Sequence, residues 1–142
     1  VVEKYQIPLE LIEAEITETM AVEELQYRQI QRTIQVMHER GVRLSIDDFG
    51  SGYSSLGVLE QIPASVIKLD RSFLLNKEDR ERQINIMKSI VKLADKLGAE
   101  IVCEGIETED DVSLMYEIGA YVAQGYRYGH PMPEGEFLKR LK

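Results

Sequence analysis

Five times between Leu9 and Leu141 a short apolar run gives way to a longer amphipathic one, and no tight hairpin signal joins one apolar run to the next. That alternation restricts the chain to a parallel sheet, because strands running the same way need a crossover of about a dozen residues, and a right-handed helical crossover is the usual solution. Leu9–Thr17 (LELIEAEIT) predicts a first strand, and 22–39 a helix with Leu25, Ile30, Ile34 and Met37 on one face, stopped by Gly41. Val42–Asp47 (VRLSID) predicts a second strand, followed by a glycine-rich turn over 49–53 and a short helix over 54–61 before Pro63. Val66–Asp70 (VIKLD) predicts the third strand. The stripe Ile84, Met87, Ile90, Val91 and Ala94 places a helix over 78–97 that Gly98 ends. Ala99–Glu104 predicts the fourth strand, Thr108 caps a helix through Glu117 that Gly119 ends, 121–123 is a very short fifth strand, and Glu134–Leu141 is a last helix.

A doubly wound sheet and part of a barrel both satisfy this pattern. The polar residues separate them: Glu15, Glu18, Asp47, Asp48, Lys68, Asp70 and Glu104 all fall at the C-terminal ends of strands, the rim where barrel enzymes build their sites. A complete barrel takes about 250 residues, so five units in 142 residues predict an α/β fold that is a partial (β/α)8 TIM barrel. It comprises about five C-terminal βα units with parallel strands, and residues 1–142 form a single portion of one domain without its N-terminal strands.

Charge and cysteine content narrow the function. With 25 acidic against 17 basic residues the net charge is -8, which repels a nucleic-acid polymer but leaves room for a small phosphate ligand screened by metal ions. Cys103 is the single cysteine, so an intrachain disulfide and a Cys-rich zinc site are excluded. No apolar run approaches the roughly 18–20 residues that span a bilayer. The expectation is a cytoplasmic segment with no direct membrane contact, within a parent that could itself be membrane-anchored.

Asp47 and Asp48 are adjacent carboxylates at a strand end, followed by Phe49, Gly50, Ser51 and Gly52. Their mutual repulsion is costly, and a pair of hard cations is one way to keep both ionised; an acidic turn capping a helix gives the same pattern. Lys68 shares a strand face with Val66 and Asp70 while Ile67 and Leu69 point the other way. A lysine facing a barrel interior needs a partner, and the strand-end carboxylates supply one. That pairing is either structural or a means of stabilising a phosphoryl oxygen or orienting a water. In Glu104-Gly105-Ile106-Glu107-Thr108, Glu104 fits a metal ligand or a base for the attacking water. Glu107 fits a ligand of a second cation, or equally an acidic residue that a helix N-terminus favours.

Together, Glu15-Ile16-Thr17-Glu18, Asp47 to Ser55, Ile67-Lys68-Leu69-Asp70, Glu104 to Thr108 and Gln124-Gly125-Tyr126, ending in Gly129-His130-Pro131-Met132-Pro133, resemble EAL-domain cyclic-di-GMP phosphodiesterases. The resemblance implies a barrel whose Mg2+ or Mn2+ ions activate a water that opens cyclic-di-GMP to linear pGpG. By position, Glu15, Asp47, Asp48, Glu104 and Glu107 match metal-site residues, and Lys68, Glu104 and Asp48 match the catalytic set. Glu18 matches the anchor of the loop after Asp48. Phe49, Gly50, Ser51 and Gly52 of that loop, with Asp70 and Gln124, match residues associated with substrate or with the loop's dimer contacts. The resemblance therefore implies a homodimer, and leaves room for sensory or GGDEF domains in the parent. Two motif positions depart mildly: Cys103 stands where alanine is usual, and Arg127-Tyr128 replaces the common Leu-Phe. The Glu-Ala-Leu signature and the asparagine ligand that follows it are absent from these residues, so the intact domain is expected to be active and this chain alone inactive. A non-catalytic sensor that binds cyclic-di-GMP is the alternative.

Overall fold

The computed structural model describes residues 2–17, 24–51, 55–75 and 79–141. Five strands, β1 (Glu13–Thr17), β2 (Arg43–Phe49), β3 (Val66–Leu69), β4 (Glu100–Cys103) and β5 (Val122–Ala123), pair in parallel in their sequence order. Sequential order has a direct meaning. A doubly wound sheet reverses its strand order at a switch point, whereas here every crossover steps the same way, which is the winding of a βα barrel.

Seven helices are described: α1 (Val2–Tyr5), α2 (Glu24–Glu39), α3 (Ser55–Gln61), α4 (Ser72–Leu75), α5 (Arg80–Leu97), α6 (Glu109–Ile118) and α7 (Glu134–Arg140). The long ones start and stop where their caps dictate. The Asp79 side chain accepts the Arg82 N–H at 3.1 Å to open α5, and Gly98 closes it at φ 73°. Thr108 and Asp111 form a reciprocal capping box on α6, and Gly119 closes that helix at φ 86°.

One face of the sheet carries Ile16, Leu44, Ile46, Ile67, Leu69, Ile101 and Cys103, which pack against Ile34, Met87, Ala94, Leu114, Met115 and Ile118 from the helices. Each fully buried aliphatic side chain contributes roughly 1.5–3 kcal/mol, so this layer is what holds the strands in register. Alternation sends the intervening residues to the opposite, inner face. There Arg43 pairs with Glu100 at 3.2 Å and with Glu13 at 4.0 Å, and Lys68 is buried at 6% exposure.

The first strand is shorter than its apolar run predicts. After Pro8, residues Leu9–Leu11 coil into a single 3-10 turn, with Leu11 N–H donating to Pro8 O at 3.1 Å. β2 begins at Arg43, paired with Glu13, and its N–H donates to Ile12 O at 3.0 Å, so the ladder stops at the 3-10 turn. At the other end, β2 runs two residues past the predicted Asp47 to Phe49. The one-turn helices α1 and α4 were not predicted; α4 is held by the Asp70 side chain, which accepts the Ser72 N–H at 2.9 Å. Among the described residues no helix is long and apolar enough to cross a membrane.

Candidate active site

Strict alternation would send Asp47 and Asp48 to opposite faces of β2. The register with β3 shows how both reach the rim: Ile46 pairs with Ile67 and Phe49 with Leu69, so β2 spends three steps where β3 spends two. The extra residue makes a bulge. Asp48 adopts φ 54° there, a left-handed conformation that aspartate tolerates better than most residues. Phe49 is thereby returned to the core at 2% exposure, and Asp47 stays on the inner side.

Glu104 follows β4, with its N–H donating to Leu69 O at 3.1 Å. One carboxylate oxygen from each of Asp47, Asp48 and Glu104 lies within 4.8 Å of the others. Lys68 occupies the middle of this acidic rim. Its ammonium donates a hydrogen bond to Glu15 and stands 3.7 Å from both Asp47 Oδ1 and Glu104 Oε1. Burial works to lower its pKa, but the Glu15 hydrogen bond and the charges of Asp47, Glu15 and Glu104 outweigh it and raise the pKa above that of an ordinary lysine. Lys68 is therefore a fixed cation at neutral pH.

The carboxylates are less comfortable. Burial, with the charge of Asp47 next, raises the pKa of Glu104 against the opposing pull of Lys68. Burial, then Asp47 and Asp70, raise that of Asp48. Among the described residues Asp47 Oδ1 is buried without a hydrogen-bond partner, since a separation of 3.7 Å from Lys68 is an ion pair and not a hydrogen bond. An anionic oxygen left without a donor is costly. The donor set, three carboxylates with one unpartnered oxygen, fits a hard divalent cation that prefers oxygen ligands.

The remaining predicted residues are distributed around this cluster. Glu15 approaches it from β1 through Lys68. Glu107 is not part of the cluster and pairs instead with Arg71 at 2.8 Å. Asp70 caps α4. Gln124 engages through its backbone, donating to Cys103 O at 2.8 Å and accepting from Ile106 N–H at 3.2 Å. Ser51 N–H donates to Asp48 O at 3.0 Å, Gly50 lies under the Phe73 ring, and Phe49 brings only its backbone to the rim because its side chain belongs to the core. Glu18 and Gly52 lie outside the described residues. Burial pushes the Cys103 thiol up to about 11, so it remains protonated and serves as core packing.

Arg71, Phe73 and Ser45 were missed from the sequence. Ser45 is fully buried on the inner face, and its hydroxyl has no partner among the described residues; the signal available was a small polar residue in phase with Asp47. Arg71 and Phe73 follow a strand end, where no periodicity marks a residue.

Comparison with known proteins accords with this geometry. The family model of the EAL domain matches residues 1–131. The cyclic di-GMP phosphodiesterase RocR of Pseudomonas aeruginosa is 44% identical over 98 residues, 69% of this chain and 25% of RocR. The EAL enzyme Bd1971, solved with cAMP and cyclic-di-GMP bound, superposes with a TM-score of 0.88 at 32% identity, covering 99% of this chain and 37% of that one. Klebsiella pneumoniae BlrP1, solved as a manganese and cyclic-di-GMP complex, gives a TM-score of 0.81 at 26% identity over 92% of this chain and 33% of its own. The chain thus spans a quarter of the length of RocR and about a third of those two solved chains. From its motifs, its sequentially wound parallel strands and this match across nearly all of its length, the chain belongs to the EAL domain family.

Proposed function

We propose that the domain to which this chain contributes hydrolyses cyclic-di-GMP to linear pGpG with Mg2+ or Mn2+. The observation that carries the reading is the convergence of Asp47, Asp48 and Glu104 beside Lys68, with Asp47 Oδ1 buried and without a hydrogen-bond partner among the described residues. In this reading Asp47, Asp48 and Glu104 hold the cation, with Glu15 beside them and Glu107 steadying the loop after Glu104. A divalent cation bound there supplies Lewis acidity to a phosphoryl oxygen and lowers the pKa of water. Lys68, pinned by Glu15, offers a fixed positive charge to the phosphoryl group as charge builds on it. Glu104, whose carboxylate stands 3.7 Å from the Lys68 ammonium, is placed at the rim to accept the proton of the attacking water. Hydrolysis adds water across one phosphodiester bond, leaving one phosphate monoester and one free hydroxyl.

The named activity of RocR and the manganese and cyclic-di-GMP complex of BlrP1 support the same chemistry. The five strands are taken as the C-terminal part of a single barrel, whose other strands would bring the Glu-Ala-Leu glutamate and the asparagine. The test is turnover of cyclic-di-GMP by the protein containing this chain: pGpG forms with Mg2+ or Mn2+ and not with a chelator. Binding without turnover in saturating Mn2+ would instead assign the domain to a sensor that does not cleave.

A further inference from the structure

Two glycines of the rim are each covered by a side chain from one short turn. Gly50, two residues after Asp48, has φ 94°, and a Cβ there would overlap the Phe73 ring. Gly105, directly after Glu104, has φ 68°, and its Cβ would lie 2.7 Å from Arg71 Cγ and Cδ. Both covering residues belong to the turn 70–73 that follows β3, the strand bearing Lys68. The turn is itself well fixed, with Ser72 N–H on Asp70 Oδ1 at 2.9 Å, Phe73 N–H on Asp70 O at 3.1 Å and Leu74 N–H on Arg71 O at 2.8 Å. From it the Arg71 guanidinium reaches Glu107 at 2.8 Å. The backbone N–H of Glu107 and that of Thr108 in turn donate to Asp111 Oδ2 at 3.1 and 2.8 Å. The segment carrying Glu104 is thus clamped between Arg71 and the first turn of α6.

We propose that the turn 70–73 is a bracket in which Arg71 and Phe73 are positioning residues, fixing the segments that carry Glu104 and Asp48 at the spacing one divalent cation requires. Neither side chain is among the cluster's ligand groups; each acts through the backbone next to a carboxylate. Left-handed glycines let the covering side chains close down on that backbone, where any Cβ would hold them off. Because the Arg71 side chain is 46% exposed, its ion pair adds little to global stability. Loss of the pair is felt at the site, where displacements near 1 Å matter.

The proposal rests on the metal-dependent reading above, and its test separates the two. In the full protein, Arg71→Gln and Glu107→Gln are each expected to weaken Mn2+ binding by calorimetry about tenfold and to lower kcat with KM little changed, while the melting temperature holds. The double variant is no worse than either single one, because both remove the same pair, and Arg71→Lys recovers part of the loss. In metal-free protein, Arg71→Gln speeds backbone amide exchange at residues 105–107. Unchanged exchange, or faster exchange with unaltered Mn2+ affinity, overturns the bracket. Faster exchange in a protein whose wild type binds no Mn2+ leaves the bracket standing and overturns the functional reading.

Discussion

Lys68 is nearly inaccessible and still charged, because three carboxylates surround it. Its removal leaves those carboxylates facing one another, so Lys68→Ala in the full protein should cut kcat for cyclic-di-GMP by about 100-fold or more; turnover within threefold of wild type would remove Lys68 from the chemistry. Asp111 shows the opposite sign of pKa shift. Burial alone would raise its pKa, but the backbone N–H groups of Thr108 and Glu107, the Thr108 hydroxyl and the charge of Arg71 bring it below the ordinary value. A depressed carboxylate stabilises the fold above its unfolded pKa and loses that contribution as pH falls through the lower, folded value. Asp111→Ala should therefore cost about 1 kcal/mol at neutral pH as a lost cap, and the gap to wild type should narrow below about pH 4 in melts run across pH. A gap independent of pH would show that the ionised carboxylate is not what stabilises the loop. At this scale the sequence was most informative about identity: Lys68 between apolar neighbours and Asp47-Asp48 at a strand end each announced an unusual demand. It was silent on Arg71 and Phe73, whose roles exist only because two loops distant in sequence meet beside one turn.

The elements that were legible are those with both a period and a cap. For α5 and α6 the apolar stripe, the N-cap and the closing glycine agree, and the observed ends fall within two residues of those expected. A one-turn helix such as α4 has no period to read, and the 3-10 turn at Leu9–Leu11 was hidden in an apolar run that looked like strand. The bulge in β2 was illegible for another reason: an Asp-Asp pair does not reveal whether the second residue continues the pleat or is extruded from it. The glycines give a test at this scale. Gly105→Ala adds a Cβ at φ 68° against Arg71 and should destabilise the protein by at least about 1 kcal/mol, whereas Gly57→Ala, in α3 with nothing within 4 Å of its Cβ, should stabilise by roughly 0.5–1 kcal/mol. Equal melting temperatures for the two variants would contradict the backbone assignment at Gly105.

At the scale of the molecule, one face of the sheet is conventional apolar packing against the helices, and the inner face is charged at both ends of the strands, with the Arg43, Glu13 and Glu100 pairs at their start, the carboxylate rim at their ends and the buried Ser45 and Val66 between. The five βα units and the location of the polar residues at the strand ends were readable from alternation alone, and the strand order decides for barrel winding over a doubly wound sheet. What alternation could not supply is distance, because which strand ends approach one another depends on register and on the extra residue at Asp48. The central claim is that the rim carboxylates hold a divalent cation. Crystals of the protein containing this chain, grown with Mn2+ and measured at a wavelength where manganese scatters anomalously, should give a peak coordinated by Asp47, Asp48 and Glu104, and the peak should vanish in Asp47→Ala. A manganese peak bound elsewhere with this cluster empty, or one that persists unchanged in Asp47→Ala, would contradict it.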